Sequence, residues 1–460
     1  MNIDPTISHE MLFSERPRTA FTMSPDQALF SLVKVMLGTG LLSLPLAFKH
    51  SGLWYLFLYL FIFKRSGLGL FLLIIICGVC TYCCRNLVHS SVFLCNRKRQ
   101  EIMDYGNVMR NAIECGPPWI NQRGYFFKQL VNSTMFIAQL GFCCVYFVFM
   151  ADNLKQFFDE TSCIHISQLA GLRCCCLCTI RQLKMLAPLA LIANIFYLAA
   201  VAIIVAYLVT HLNPIKDAPA VGNLTELPLF FGTVMFAFEG VAVVLPIENK
   251  LINPVDFIAA NGVLNTACFI VLAVYATTGF YGYLAFGSHV KDTVTLNLPN
   301  EPYQNNACCC ILVSYPLQFY VPMERVEKWV SRKIPIEWQN PIVYILRYSM
   351  VILTCLIAEL IPHLGLFISL VGAFAGTALA LIFPAMIDLL CNYSQMKLTR
   401  GIWIKNICLF GFGVLGLVTG TYASLTQIAY AFGLKIRLEK FFCKMGFENI
   451  VPMFQEKGDY

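Results

Sequence analysis

Apolar residues in this chain come in long unbroken runs rather than in alternation. A membrane-spanning strand needs apolar and polar residues in turn, whereas a membrane helix needs about 20 consecutive apolar residues. The runs fall at residues 28–48, 53–87, 130–150, 164–180, 186–210, 227–246, 257–286, 307–322, 342–361, 364–390 and 404–432. They predict an all-α polytopic membrane protein with about eleven transmembrane helices. The second zone is overlong and is interrupted by Lys64 and Arg65, the fourth is broken by Arg173, and the fourth and eighth are short.

Composition supports helices in lipid. Hydrophobic residues make up 58% of the chain and charged residues only 13%, against about 25% charged in a soluble domain. An ordinary globular protein is excluded, and the abundant aromatics exclude a disordered one. The 21 cysteines do not define a disulfide-rich secreted scaffold in a chain of 460 residues. The net charge of +7 is spread over short connections, where it orients helices and implies no nucleic-acid partner.

That charge predicts a topology. The expected organisation is a cytoplasmic N-terminal tail at 1–27, a membrane domain at 28–432 and a C-terminal tail at 433–460. Arg16 and Arg18 have no adjoining apolar core, so the N-terminus does not read as a cleavable signal peptide. Arg97, Lys98, Arg99, Arg110 and Arg123 place the connection after the second span in the cytoplasm. The segment 211–226 then lies outside, and its Asn223-Leu224-Thr225 triplet makes Asn223 the expected glycosylation site. Asn392-Tyr393-Ser394 is a second triplet, on the inside, where it stays bare. Odd parity puts the basic C-terminal tail outside, since late charges orient less than early ones.

Two spans are wrong for plain lipid-facing helices. The first contains Gly38-Thr39-Gly40 with Pro45 beyond, and the sixth contains Phe236-Ala237-Phe238-Glu239-Gly240 with Pro246 beyond. Glycine weakens a helix interior, and proline removes a donor and clashes with the previous turn. A single such stretch reads equally well as a packing kink. The pair holds corresponding places if spans one to five and six to ten are two repeats, and that arrangement points to the central site of a transporter. Glu239 lies mid-membrane, where an ionisable residue costs about 2.5–3.5 kcal/mol and needs a partner or a proton. Lys34 can snorkel to the interface, and Glu359 and Asp388 sit near span ends.

At these residues the chain resembles the amino acid/auxin permease superfamily, in its branch of proton-coupled amino acid transporter-like proteins. The matching stretches begin at Leu32, Ile180, Phe236, Tyr315 and Pro362, the first ending Gly38-Thr39-Gly40-Leu41-Leu42-Ser43-Leu44-Pro45. The resemblance implies eleven helices and a LeuT-like five-plus-five inverted repeat with discontinuous helices 1 and 6. It also implies secondary active transport of small neutral amino acids, coupled to protons. By motif position, Gly38, Thr39 and Gly40 would meet the substrate carboxylate. Phe236, Ala237, Phe238 and Gly240 would line the ammonium end, with Glu239 supplying negative charge or a titratable proton. Members carry a histidine where this chain has Val92, with His89 three residues earlier. His89 is therefore the second proton-coupling candidate, on nearly the same helix face. Residues 54–66 are extra relative to the family, which fits either a divergent member or a gene-model error.

No other chemistry competes. Cys174, Cys175, Cys176 and Cys178, like Cys308, Cys309 and Cys310, are too contiguous to converge on one metal from a helix. No metal, cofactor or catalytic constellation is expected, and a membrane enzyme lacks its residues. The expected partners are small neutral amino acids, protons and membrane lipid, in the plasma membrane or a lysosomal or endosomal membrane. An amino acid-sensing receptor that transports little uses the same motifs and is the alternative.

Overall fold

The computed structural model describes residues 23–51, 67–157, 183–211, 224–298, 302–361 and 363–431. Helix α1 (Pro25–Met36) leads through a 3-10 turn (Thr39–Ser43) into α2 (Leu44–Ser51). Then follow α3 (Gly67–Lys98), α4 (Tyr105–Glu114), α5 (Gly124–Phe157), α6 (Leu183–Thr210), α7 (Leu227–Ala237) and α8 (Val241–Glu248). After them come α9 (Pro254–Ile258), α10 (Val263–Phe286), α11 (Pro302–Lys333) and α12 (Ile336–Leu360). Helix α13 (Leu364–Val371) passes through two π-helical stretches, Gly372–Gly376 and Ala378–Ile382, into α14 (Phe383–Ser394), and α15 (Arg400–Ala431) follows. No strand occurs among the described residues; Met23 and Leu251 form one isolated bridge, with Met23 N–H donating to the Lys250 carbonyl at 2.8 Å. That bridge ties the beginning of the first span to the end of the sixth.

Seven of these segments are long and apolar enough to cross a membrane, and α1 with α2, bent by 43°, form an eighth. Every expected span except the fourth appears as helix. The fourth, residues 54–66, Cys174, Cys175, Cys176, Cys178 and Asn223 lie outside the described residues, as do residues 1–22 and the whole C-terminal tail. The eighth span is not short: α11 has 32 residues and carries Pro316 and Pro322 inside it. Interior prolines are tolerated in membrane helices because neighbours re-satisfy the freed carbonyls.

Local chemistry sets the ends. Ser24 and Gln27 form a reciprocal capping box ahead of Pro25, and Asp26 complements the positive end of α1. Gly287 closes α10 at φ +56°, a left-handed conformation that favours glycine. Helix α4 is amphipathic: Tyr105, Val108, Met109, Ala112 and Ile113 are buried at helical spacing. It packs across the N-terminal end of α5, and Lys128 donates to Asn107 at 2.6 Å.

Three packing contacts recur at a spacing of five spans. The third span (α5) packs on the tenth (α13), as the eighth (α11) packs on the fifth (α6). The second (α3) packs on the tenth (α14), as the seventh (α10) packs on the fifth. The first (α1, α2) packs on the seventh, as the sixth (α7, α8) packs on the second. Spans six and ten sit at the centre, 83% and 78% buried over their apolar windows, whereas the eleventh is 17% buried and faces lipid.

Candidate functional site

The first break opens where α1 ends. Leu37 N–H still reaches the Val33 carbonyl at 2.9 Å, but Gly38 N–H turns back to the Met36 carbonyl at 2.8 Å. Gly38 is extended (φ −103°, ψ −160°), and Thr39 and Gly40 start a new 3-10 turn with no side-chain cap. Their amides have no preceding turn to donate to. Pro45 falls in the first turn of α2, where its missing N–H costs nothing. The helix therefore breaks at the glycines, and the proline accommodates its restart.

The second break is built alike. Phe238 N–H reaches the Val234 carbonyl at 2.9 Å, and then Glu239 N–H turns to Phe236 at 3.3 Å and Gly240 N–H to Phe238 at 2.7 Å. Gly240 starts α8 without a side-chain cap, with Pro246 inside that helix. The Ala237 carbonyl accepts from the Tyr275 hydroxyl and the Phe238 carbonyl from Gly240 N–H, whereas the Phe236 carbonyl accepts from both Phe238 and Glu239 N–H.

The two breaks touch each other. A β-carbon on Gly40 would stand 2.6 Å from Ala237 Cα, and one on Gly240 would stand 2.6 Å from Met36 Cε. Gly38 differs: its nearest neighbours would be the Val35 carbonyl at 3.8 Å and the Tyr146 hydroxyl at 3.9 Å, ordinary contact distances. Gly38, Phe142 and Tyr146 are only half-buried, so this side of the first break keeps accessible space. Phe142 closes on Phe236 with ring centroids 4.8 Å apart. Span six lies equally close to span ten, since a β-carbon on Gly372 would stand 2.6 Å from Phe236 N.

Glu239 is 8% exposed, and neither carboxylate oxygen has a hydrogen-bond partner among the described residues. It faces the π-helical stretch of span ten, where a β-carbon on Gly376 would be 3.6 Å from Oε2. A carboxyl group in such surroundings requires a proton or a cation. Asp388 shows the contrast: it accepts from Asn86 at 3.3 Å, Lys405 at 3.3 Å, Asn406 at 2.8 Å and Asn392 at 2.9 Å. That network ties spans two, ten and eleven and leaves Asp388 no need of a ligand.

His89 lies elsewhere. Cys80 Sγ is 4.0 Å from Met235 Sδ, which sets the middle of α3 level with the second break. His89 is nine residues further along α3, about 13.5 Å down the helix axis. Thus Gly38, Thr39, Gly40, Phe236, Ala237, Phe238, Glu239 and Gly240 come together, and His89 stands apart from them toward the basic end of its helix.

Two contributors escape the sequence pattern. The Tyr275 hydroxyl, fully buried in α10, hydrogen-bonds the Met36 carbonyl and the Ala237 carbonyl, the latter at 2.7 Å. The Tyr197 hydroxyl of α6 donates to the Gly38 carbonyl at 2.8 Å. A tyrosine within an apolar run is a weak signal, since most serve packing. Arg347 is likewise missed: it is 2% exposed within α12 and pairs with Glu327 of α11 at 2.8 Å.

Two broken helices crossing at the centre of a bundle of long apolar helices define a polytopic membrane transporter. A family model of transmembrane amino acid transporter proteins matches residues 22–426, and the chain belongs to that family. It is 31% identical over 420 residues to the proton-coupled amino acid transporter-like protein pathetic of Drosophila melanogaster, covering 88% of this chain and 86% of the relative. It is 28% identical over 443 residues to the probable amino acid transporter skat-1 of Caenorhabditis elegans, covering 90% and 92%. The family is one of integral membrane transporters rather than enzymes.

Proposed function

We propose that the protein is a secondary active transporter of small neutral amino acids, driven by protons, with its substrate held between the two breaks. The observation that carries this reading is Glu239, a buried carboxyl group with no hydrogen-bond partner among the described residues, beside the restart of a broken helix. An amino acid is a dipole with one carboxylate and one ammonium group. The amides of Thr39 and Gly40, at the positive end of a half-helix, suit the carboxylate. The Ala237 and Phe238 carbonyls of the second break, with Glu239 nearby, suit the ammonium.

The same geometry supports proton coupling. A buried carboxyl group alternates between holding a proton and facing a bound ammonium, and each state excludes the other in part. Reciprocity then requires substrate to change proton affinity as protons change substrate affinity. Glu239 is favoured over His89 because it is at the breaks and His89 is not. The test is radiolabelled uptake of small neutral amino acids at several pH values in cells expressing the chain. Saturable uptake that rises as the outer pH falls supports the reading, and binding without uptake would favour an amino acid sensor instead.

A further inference from the structure

We propose that Tyr275 and Tyr197 are positioning residues that clamp the backbone of the two breaks in their substrate-receiving geometry. This inference rests on the proposed function, because it assigns how the same site is held ready. The carbonyls at issue are Met36 and Gly38 of the first break and Ala237 of the second. They lie where regular helix pairing stops: Met36 also accepts from Gly38 N–H at 2.8 Å and Gly38 from Leu41 N–H at 3.2 Å, whereas Ala237 takes its donor from Tyr275, and within a membrane such an oxygen needs one.

The two tyrosines divide this work unequally. Tyr197 reaches only the first break, through the Gly38 carbonyl at 2.8 Å. Tyr275 reaches both, with its hydroxyl between the Met36 and Ala237 carbonyls. A phenol has one proton to donate. Two carbonyl oxygens competing for it make the hydroxyl a shared latch: drawing it toward one break releases the other. The ring packs edge-on against Phe238 of the second break, centroids 5.1 Å apart, so the hydroxyl stays with that break and cannot follow the first one far. Tyr275 therefore couples the carboxylate end of the site to the ammonium end without touching substrate. Tyr197 fixes the carbonyl of Gly38 and so the direction of the amides that follow it.

The test uses full-length protein and alanine as the probe. Substrate affinity is read from ligand-dependent thermal stabilisation of purified wild type, Tyr275→Phe and Tyr197→Phe, alongside KM and maximal uptake rate per surface transporter. Phenylalanine keeps the ring packing and deletes only the donor. The clamp predicts that alanine affinity and KM worsen about tenfold in Tyr275→Phe, as expected for leaving a buried acceptor unpaired. Tyr197→Phe weakens affinity in the same direction, by less. A purely structural role predicts lower surface amount and melting temperature with unchanged KM, and that result overturns the clamp. If Tyr275→Phe does not reach the membrane, Tyr197→Phe decides alone, and an unchanged KM overturns the proposal. Wild type that binds no amino acid overturns the proposed function and the clamp with it. Wild-type binding that both variants match overturns the clamp and leaves the function standing.

Discussion

Gly40 and Ala237, far apart in sequence, are in backbone contact: a β-carbon on Gly40 would lie 2.6 Å from Ala237 Cα and 3.2 Å from Ala237 N. The crossing of the two breaks therefore depends on the absence of a side chain at that point. Gly38, two residues earlier, carries no such constraint, with nothing nearer than 3.8 Å to an added β-carbon.

The two glycines should separate experimentally. Gly40→Ala overpacks the crossing at a cost of about 1–3 kcal/mol, lowering the melting temperature of the solubilised protein and its surface amount. Gly38→Ala leaves both unchanged and reduces uptake, because the methyl group enters the accessible space by Tyr146. Thermal unfolding and uptake on the same variants check this. Equal destabilisation by both would show that Gly38 serves packing.

Arg347 and Glu327 lock spans nine and eight. Arg347→Ala removes the cation from a buried pair and should cost about 3 kcal/mol, the low end of the range because Glu327 is partly exposed. Replacing both, as Arg347→Met with Glu327→Leu, should recover part of the loss. A single variant as stable as wild type would show that the pair is dispensable.

Glycosylation should occur at Asn223 and not at Asn392. The Asn392 side-chain amide donates to the Asp388 side chain at 2.9 Å and to its backbone carbonyl at 2.8 Å, inside helix α14. Treatment with a deglycosidase should shift wild type but not Asn223→Gln. A shift abolished by Asn392→Gln would invert the topology read from the basic connections.

Much of this architecture was legible because the bilayer imposes a simple rule. Runs of apolar residues located the spans, and Gly38, Gly40 and Gly240 located both breaks. The π-helical stretches of span ten were not legible, because Gly372 and Gly376 serve close packing against Phe236 and Met235 that only the fold reveals. Helix α4 was missed because its apolar residues form a stripe rather than a run. The eighth span was read as ending at Pro322, yet the helix runs on to Lys333. Tyr275 and Tyr197 escaped because their partners are backbone carbonyls on distant spans, and a carbonyl leaves no trace in residue identity.

The central claim is that Glu239 carries the coupled proton at the crossing of the two breaks. Glu239→Gln keeps the shape of the side chain and removes its titration. Uptake against pH for wild type and Glu239→Gln, normalised to surface protein, tests the claim most directly. The account predicts wild-type uptake that rises as pH falls and a flat profile in Glu239→Gln. A steep wild-type profile that Glu239→Gln retains would contradict it and move the proton site elsewhere, with His89 the next residue to replace.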